Sequence, residues 1–166
     1  MFKAGVLTIS DKGSRGERID GSGPIAQKYI EKLSIAVDKY EIVPDNADLI
    51  SSRLREWSDR EGLDLIVTNG GTGLAERDIT PEATLAVIEK QVPGITEAMR
   101  IESAKHAPTA MLSRAVAGSR GKCLIINLPG SPSGVKDCME ILSPVLIHAL
   151  ETLHGLIGDH NHSVDV

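Results

Sequence analysis

The chain is poor in aromatic residues, with one Phe, two Tyr and one Trp making up 2% of its 166 positions. Proteins that hold single-stranded nucleic acid stack bases on several aromatic rings, so Phe2, Tyr29, Tyr40 and Trp57 make that class a poor fit. There is no excess of positive charge either. The formal net charge is −5, which leaves no overall attraction for nucleic acid or an anionic membrane. Any steering of anions must come from a local patch. Cysteine is scarce: Cys123 and Cys138 are not in CxxC spacing, and each lies in an apolar stretch. Both read as small core residues in a reducing compartment. No apolar run approaches a membrane span, and Met1–Gly5 lacks the apolar core of a signal peptide. The expectation is a cytoplasmic protein with neither a membrane nor a nucleic-acid partner.

What is present is ordinary globular chemistry: 41% hydrophobic and 25% charged residues, over a length that can bury a proper core. Val6–Ile9, Val37–Val43, Leu63–Thr68 and Cys123–Asn127 are β-rich apolar runs bounded by polar or glycine-containing turns. Helices are expected over about Pro24–Leu33, Ala47–Ser58, Pro81–Lys90, Thr96–Lys105 and Pro132–His154. Pro144 should break or kink the last of these, and Gly155 should cap it. Thr109–Lys122 fits a helix by its Met111, Leu112, Ala115 and Val116, and a turn between strands by its two glycines. The strands are apolar along their whole length and alternate with helices, the pattern of a mostly parallel sheet covered on both faces.

In such a sheet, ligands sit at the carboxyl ends of the strands. Four polar loops follow the four strands: Ser10–Ser22, Pro44–Asn46, Asn69–Thr80 and Pro129–Ser131. Thr80-Pro81 and Ser131-Pro132 each place a hydroxyl before a helix-starting proline. That reads either as an ordinary helix start or as an N-terminus offering free N–H groups to a phosphate. The turn Gly70-Gly71-Thr72-Gly73 lets backbone N–H groups approach a ligand closely. It lacks the Gly-Lys-Ser/Thr of a P-loop, and counting the dinucleotide fingerprint from Gly71 puts Glu76 where a small residue is needed. Behind it, Asp78 can hold Mg²⁺ beside a phosphate or favour the following helix dipole, and Arg77 can neutralise phosphate or stay solvated. Asp45 is a second candidate carboxylate. Lys122 and Lys136 flank the Pro129 loop and read as surface lysines or phosphate contacts. His106, His148 and His154 read as packed or surface histidines, and Asp159–His162 as an incidental polar tail.

Taken together, Thr68–Gly73, Arg77–Thr84, Leu112–Gly118 and Ile126–Pro132 resemble the molybdopterin adenylyltransferase family, joined by Leu7–Asp11 and Asp20–Pro24. These are the MogA-type enzymes, also found as the G domains of gephyrin and its plant counterpart. The resemblance runs to about residue 155. It implies a three-layer α/β/α sandwich, one MogA-like domain over residues 1–158 and a flexible tail over 159–166. It implies a homotrimer that transfers AMP from Mg-ATP to the terminal phosphate of molybdopterin in molybdenum cofactor biosynthesis, with possible hand-over to a MoeA-type molybdenum insertase. Carried over by residue, Asp78 and Asp45 become the catalytic and Mg²⁺-side carboxylates. Gly70, Gly71, Thr72, Gly73, Pro129, Gly130 and Ser131 bind the nucleotide phosphates, and Ser10, Asp11, Ser22, Thr80, Ser113 and Arg114 face the pterin. Some MoaB-type relatives share the fold but depart from the Arg-Asp-Ile-Thr-Pro motif, which is intact here. A MoaB-like molybdopterin-binding protein without turnover is the alternative. Asn69, where relatives often carry Thr or Leu, is a departure, and Ser133-Gly134 falls where the family varies.

Overall fold

The computed structural model describes residues 1–157. The domain boundary expected at residue 158, the tail at 159–166 and the Asp159–His162 segment lie outside the described residues. In chain order the strands are β1 (Lys3–Ile9), β2 (Ala36–Val43), β3 (Leu65–Asn69), β4 (Lys90–Gln91), β5 (Ala117–Arg120) and β6 (Cys123–Leu128). The helices are α1 (Asp11–Ser14), α2 (Gly23–Lys32), α3 (Ala47–Arg55), α4 (Thr80–Leu85), α5 (Pro93–Ala104) and α6 (Pro132–Leu153).

Six strands form one sheet in the order β2-β1-β3-β6-β5-β4. The first four are mutually parallel, while β5 and β4 add an antiparallel edge. The expected mostly parallel, three-layer α/β/α architecture is therefore observed. Alternate residues of the buried strands feed two cores. Val6, Leu65, Val67, Leu124 and Ile126 pack with α2, α5 and α6 on one face. Leu7, Ile66 and Ile125 pack with Ile50, Leu54 and Trp57 on the other. Because both faces are covered, these strands have no polar side, which is why they read as unbroken apolar runs. Leu65, Ile66 and Val67 have no exposed surface, and each contributes about 1.5–3 kcal/mol by burial.

Several boundaries differ from expectation. α4 ends at Leu85, well short of Lys90, which instead pairs in β4 opposite Ser119. Thr109–Lys122 resolves into a 3₁₀ turn at Pro108–Leu112, an extended segment and β5, with Gly121 turning the chain into β6. α3 continues as a π-helical turn, Glu56–Arg60, that buries Trp57. α6 passes through Pro144 without a break. Gly155, at φ 67, closes α6 as expected, its N–H donating to Thr152 O.

The sheet order turns around between β1 and β3. The chain leaves β1 toward β2 on one side and leaves β3 toward β6 on the other. The carboxyl ends of β1 and β3 consequently frame the crevice of an open α/β sheet, where ligands bind. Fully buried Asn127 secures the floor nearby. Its Nδ2 donates to Thr68 Oγ1 (3.0 Å) and Thr84 Oγ1 (2.9 Å), and Val116 N–H donates to its Oδ1 (3.2 Å). This buried amide makes all the bonds its two ends need and ties α4 to β3 and β6 directly below the crevice.

Candidate active site

The four loops expected at one sheet edge do lie together. The glycine turn leaves β3 with Gly70 at φ 101 and Gly71 at φ 67. A Cβ on Gly70 would stand 2.5 Å from Ile9 O, and one on Gly130 would stand 3.3 Å from the Gly70 Cα. The loops after β1, β3 and β6 thus pack backbone against backbone, at a separation side chains would prevent. Gly70 N–H donates to Leu128 O (3.1 Å), whereas the N–H groups of Gly71, Thr72 and Gly73 make no hydrogen bond among the described residues. Three consecutive unpaired donors make an anion cradle. Beside it, Ser131 caps the 22-residue α6, its Oγ accepting from Gly134 N–H (3.1 Å). The positive end of that helix faces the same place.

Two cleft lobes meet here. One, about 540 Å³, is polar and runs under the loops after β1 and β2, with Ser10, Asp11, Ser22, Asp45, Gly70 and Arg77 on its walls. The other, about 420 Å³, is more apolar and lies between α5, the 3₁₀ turn and α6, with Thr72, Gly73, Met99, Arg100, Ser113 and Cys138 on its walls. Gly71, Asp78, Gly130 and Ser131 line both. Two ligands of different polarity can therefore meet at one set of backbone donors.

Charge in the polar lobe is mixed. Asp11, Asp20, Asp45 and Asp78 face Lys12, Arg18 and Arg77. Asp45 and Asp11 bond reciprocally: Asp11 N–H donates to Asp45 Oδ2 (3.2 Å), and Asp45 N–H donates to Asp11 Oδ1 (2.9 Å). Partial burial raises the Asp45 pKa first, and the negative charge of Asp11 raises it further. Asp78 Oδ2 accepts from Ala75 N–H (3.0 Å), which fixes its carboxylate beside the turn. Among the described residues no group of three or more His, Cys, Asp or Glu side chains could hold a metal by itself. Mg²⁺ asks for less than that. One or two carboxylates plus phosphate oxygens suffice, and crowded Asp45 and Asp78 fit that donor set.

The residues expected at the pterin are not all in one place. Ser10, Asp11 and Ser22 line the polar lobe, and Ser113 lines the apolar one. Thr80 faces neither. It is the first residue of α4 and does not cap it; its fully buried Oγ1 lies against Gly71 with no partner among the described residues. Arg114 also lines neither lobe. Its guanidinium donates to Gly73 O (2.8 Å), Asp78 O (2.6 Å) and the Glu82 carboxylate. Lys122 sits in the turn before β6, at the end of that strand away from Pro129, and Lys136 leans toward Glu140 at 4.0 Å. His106 and His154 are not isolated: their Nε2 atoms lie 2.8 Å from Asp137 and Asp64 carboxylate oxygens.

Sequence reasoning missed Asp20 as a working residue. Its Oδ1 accepts from Ser22 N–H (2.9 Å), Gly23 N–H (3.0 Å) and Ser22 Oγ (3.0 Å). Its Oδ2 accepts from Thr8 Oγ1 (2.6 Å) and Tyr40 OH (2.7 Å). Burial works against this carboxylate, but the hydrogen bonds prevail and hold its pKa below the usual range. An Asp followed by Gly and Ser is a recognisable turn signal, its carboxylate free to accept from the backbone two and three residues on. Lys12 and Arg18 were missed as well, hidden in a long polar loop with no periodicity.

Comparison with known proteins agrees with this geometry. Residues 5–148 match the family model described as "Probable molybdopterin binding domain". A protein of Helicobacter pylori strain J99 named molybdopterin adenylyltransferase is 46% identical over 153 residues, covering 91% of this chain and 87% of that one. The Escherichia coli K12 protein of the same name is 39% identical over 141 residues, covering 84% and 72%. The crystal structure of the molybdopterin biosynthesis enzyme MoaB from Thermus thermophilus superposes with a TM-score of 0.89 at 52% identity, covering 93% of this chain and 98% of that one. With the glycine turn, the acidic loop and the α6 N-terminus converging as described, the chain belongs to this family of molybdopterin-binding domains.

Proposed function

We propose that the protein is a molybdopterin adenylyltransferase acting in molybdenum cofactor biosynthesis. A terminal phosphate oxygen of molybdopterin attacks the α-phosphorus of ATP. The new P–O bond forms as the bond to the β-phosphate breaks, and pyrophosphate leaves with the electron pair. The observation that carries this reading is the meeting of two lobes at Gly71, Asp78, Gly130 and Ser131. A transfer between two phosphorylated ligands needs a shared cradle of this kind.

The attacking oxygen is already ionised at neutral pH, so a strong general base is not required. The barrier is the approach of two anions and the charge that accumulates on the leaving group. The unpaired N–H groups of Gly71, Thr72 and Gly73 and the α6 N-terminus would meet that charge. Arg77, Lys12 and Arg18 supply positive charge on the polar side. Asp45 and Asp78 would hold Mg²⁺, which neutralises phosphate charge when bound. The family resemblance further supports a homotrimer in the cytoplasm, with product handed to a MoeA-type insertase.

The test is pyrophosphate release. Wild-type protein should require both ATP and molybdopterin, and Asp78→Asn should keep the fold by circular dichroism while losing about 10²–10³-fold in kcat. The proposal is falsified if Asp78→Asn turns over like wild type. Tight pterin binding with no pyrophosphate release from wild type would establish the MoaB-like binding protein instead.

A further inference from the structure

We propose that Arg114 is a positioning residue: it clamps the glycine turn to the Asp78 loop and does not touch substrate. This rests on the adenylyl-transfer reading, in which Asp78 acts at the junction of the lobes.

The clamp is visible atom by atom. Nε–H donates to Gly73 O (2.8 Å), Nη2 donates to Asp78 O (2.6 Å), and Nη1 donates to Glu82 Oε1. Gly73 and Asp78 are the two ends of the loop that carries the acidic group, and Glu82 lies in α4 just beyond it. A guanidinium is a rigid planar fork, so three acceptors bonded to it are fixed relative to one another. The Arg114 backbone is pinned as well. Its N–H donates to Thr72 O (2.9 Å), and the flanking carbonyls of Ser113 and Ala115 accept from Arg100 Nη1 (3.3 and 3.1 Å). α5 thus anchors the segment that holds the turn. The Asp78 carboxylate is sensitive to this placement, because its Oδ2 lies only 2.8 Å from where a Gly73 Cβ would be. An arginine meant for a substrate phosphate would leave its donors facing a cleft. Here every nitrogen of the guanidinium is taken by a protein acceptor, and the bond to Arg114 lowers the Glu82 pKa.

The experiment compares Arg114→Ala, Arg114→Lys and Glu82→Ala in steady-state pyrophosphate release, equilibrium binding of molybdopterin, and amide hydrogen exchange. Arg114→Ala should lower kcat about 10²-fold, the cost of misplacing a reacting group by about 1 Å. The KM for molybdopterin should stay within about threefold, since no substrate contact is lost. Arg114→Lys keeps the charge but not the fork, and should recover less than about tenfold of that loss. Exchange at Ala75, Asp78 and Thr80, whose N–H groups are hydrogen-bonded within this loop, should speed up in Arg114→Ala while β3 and β6 keep their protection. In Glu82→Ala, freeing one arm of the guanidinium should lower kcat and leave pterin affinity unchanged. A tenfold or greater rise in the molybdopterin KM with kcat retained, tighter pterin binding in Glu82→Ala, or unaltered exchange in Arg114→Ala would each overturn the clamp. If wild type releases no pyrophosphate, the adenylyl-transfer reading fails, and the exchange and binding data still decide whether Arg114 positions the loop.

Discussion

Gly71 shows how much a single position can carry. Its φ of 67 lies in the left-handed region, and a Cβ there would overlap Thr80 Oγ1 and approach Asp45 Oδ1 at 3.3 Å. Gly71→Ala therefore combines backbone strain with a clash beneath the cradle. It should cost roughly 1–3 kcal/mol in urea denaturation and lower pyrophosphate release more than tenfold. Gly121 provides the comparison: its φ is 53, but a Cβ there meets nothing within 4 Å. Gly121→Ala should show the strain cost alone, with turnover intact. Equal loss of activity in both variants would mean that the glycine turn matters only for stability. At this scale Gly70–Gly73 and Asp78 were legible from the sequence, because glycines clustered in a turn after an apolar run mark a close backbone approach. Arg114 was legible only as a family residue. Which way a guanidinium turns depends on acceptors at Gly73, Asp78 and Glu82, which come to it only in the folded chain.

Among the elements, α6 and α4 make a contrasting pair. Both start at a hydroxyl followed by proline, yet only Ser131 caps its helix, while Thr80 is drawn inside α4 and buried. Ser131→Ala should lower stability by about 1 kcal/mol through the lost Gly134 bond. A thermal or urea midpoint unchanged from wild type would show that the cap carries no stability. Proline inside a helix costs about 3 kcal/mol or more, which is why a break was expected at Ser143-Pro144. α6 continues because Met139, Leu142, Leu146 and Leu150 on either side are buried against the sheet, each worth about 1.5–3 kcal/mol. Ser143 Oγ also donates to Met139 O (2.6 Å). Local preference loses to packing here, and the sequence shows only the first. β4 and β5 escaped detection for a related reason. β4 has two residues, both exposed, and β5 contains a glycine and an arginine. β5 exists because β6 offers a free edge to pair with, and β4 because β5 then offers its own.

Across the whole molecule, Asp20 joins β1, β2 and the start of α2 through Thr8, Tyr40, Ser22 and Gly23. Its pKa is held down in the folded state. The unfolded chain therefore binds this proton more readily. The stabilisation is present above the unfolded value of about 3.9 and is lost as pH falls through the folded value. Urea midpoints should drop between pH 5 and pH 3, and drop less in Asp20→Asn, which has no such proton to take up. Parallel pH curves for the two proteins would refute this account.

Strand runs, helix faces, the glycine turn and the order of the motifs are local or periodic properties. They settled the α/β class, the parallel sheet and the edge on which the site must lie, because side-chain spacing reports directly on which faces are buried. The division of that edge into a polar and an apolar lobe came only with the tertiary structure, which also turned Arg114 onto the Gly73–Asp78 loop and made Asp20 a junction. Those outcomes depend on contacts between residues tens of positions apart, whose partners no local pattern can name.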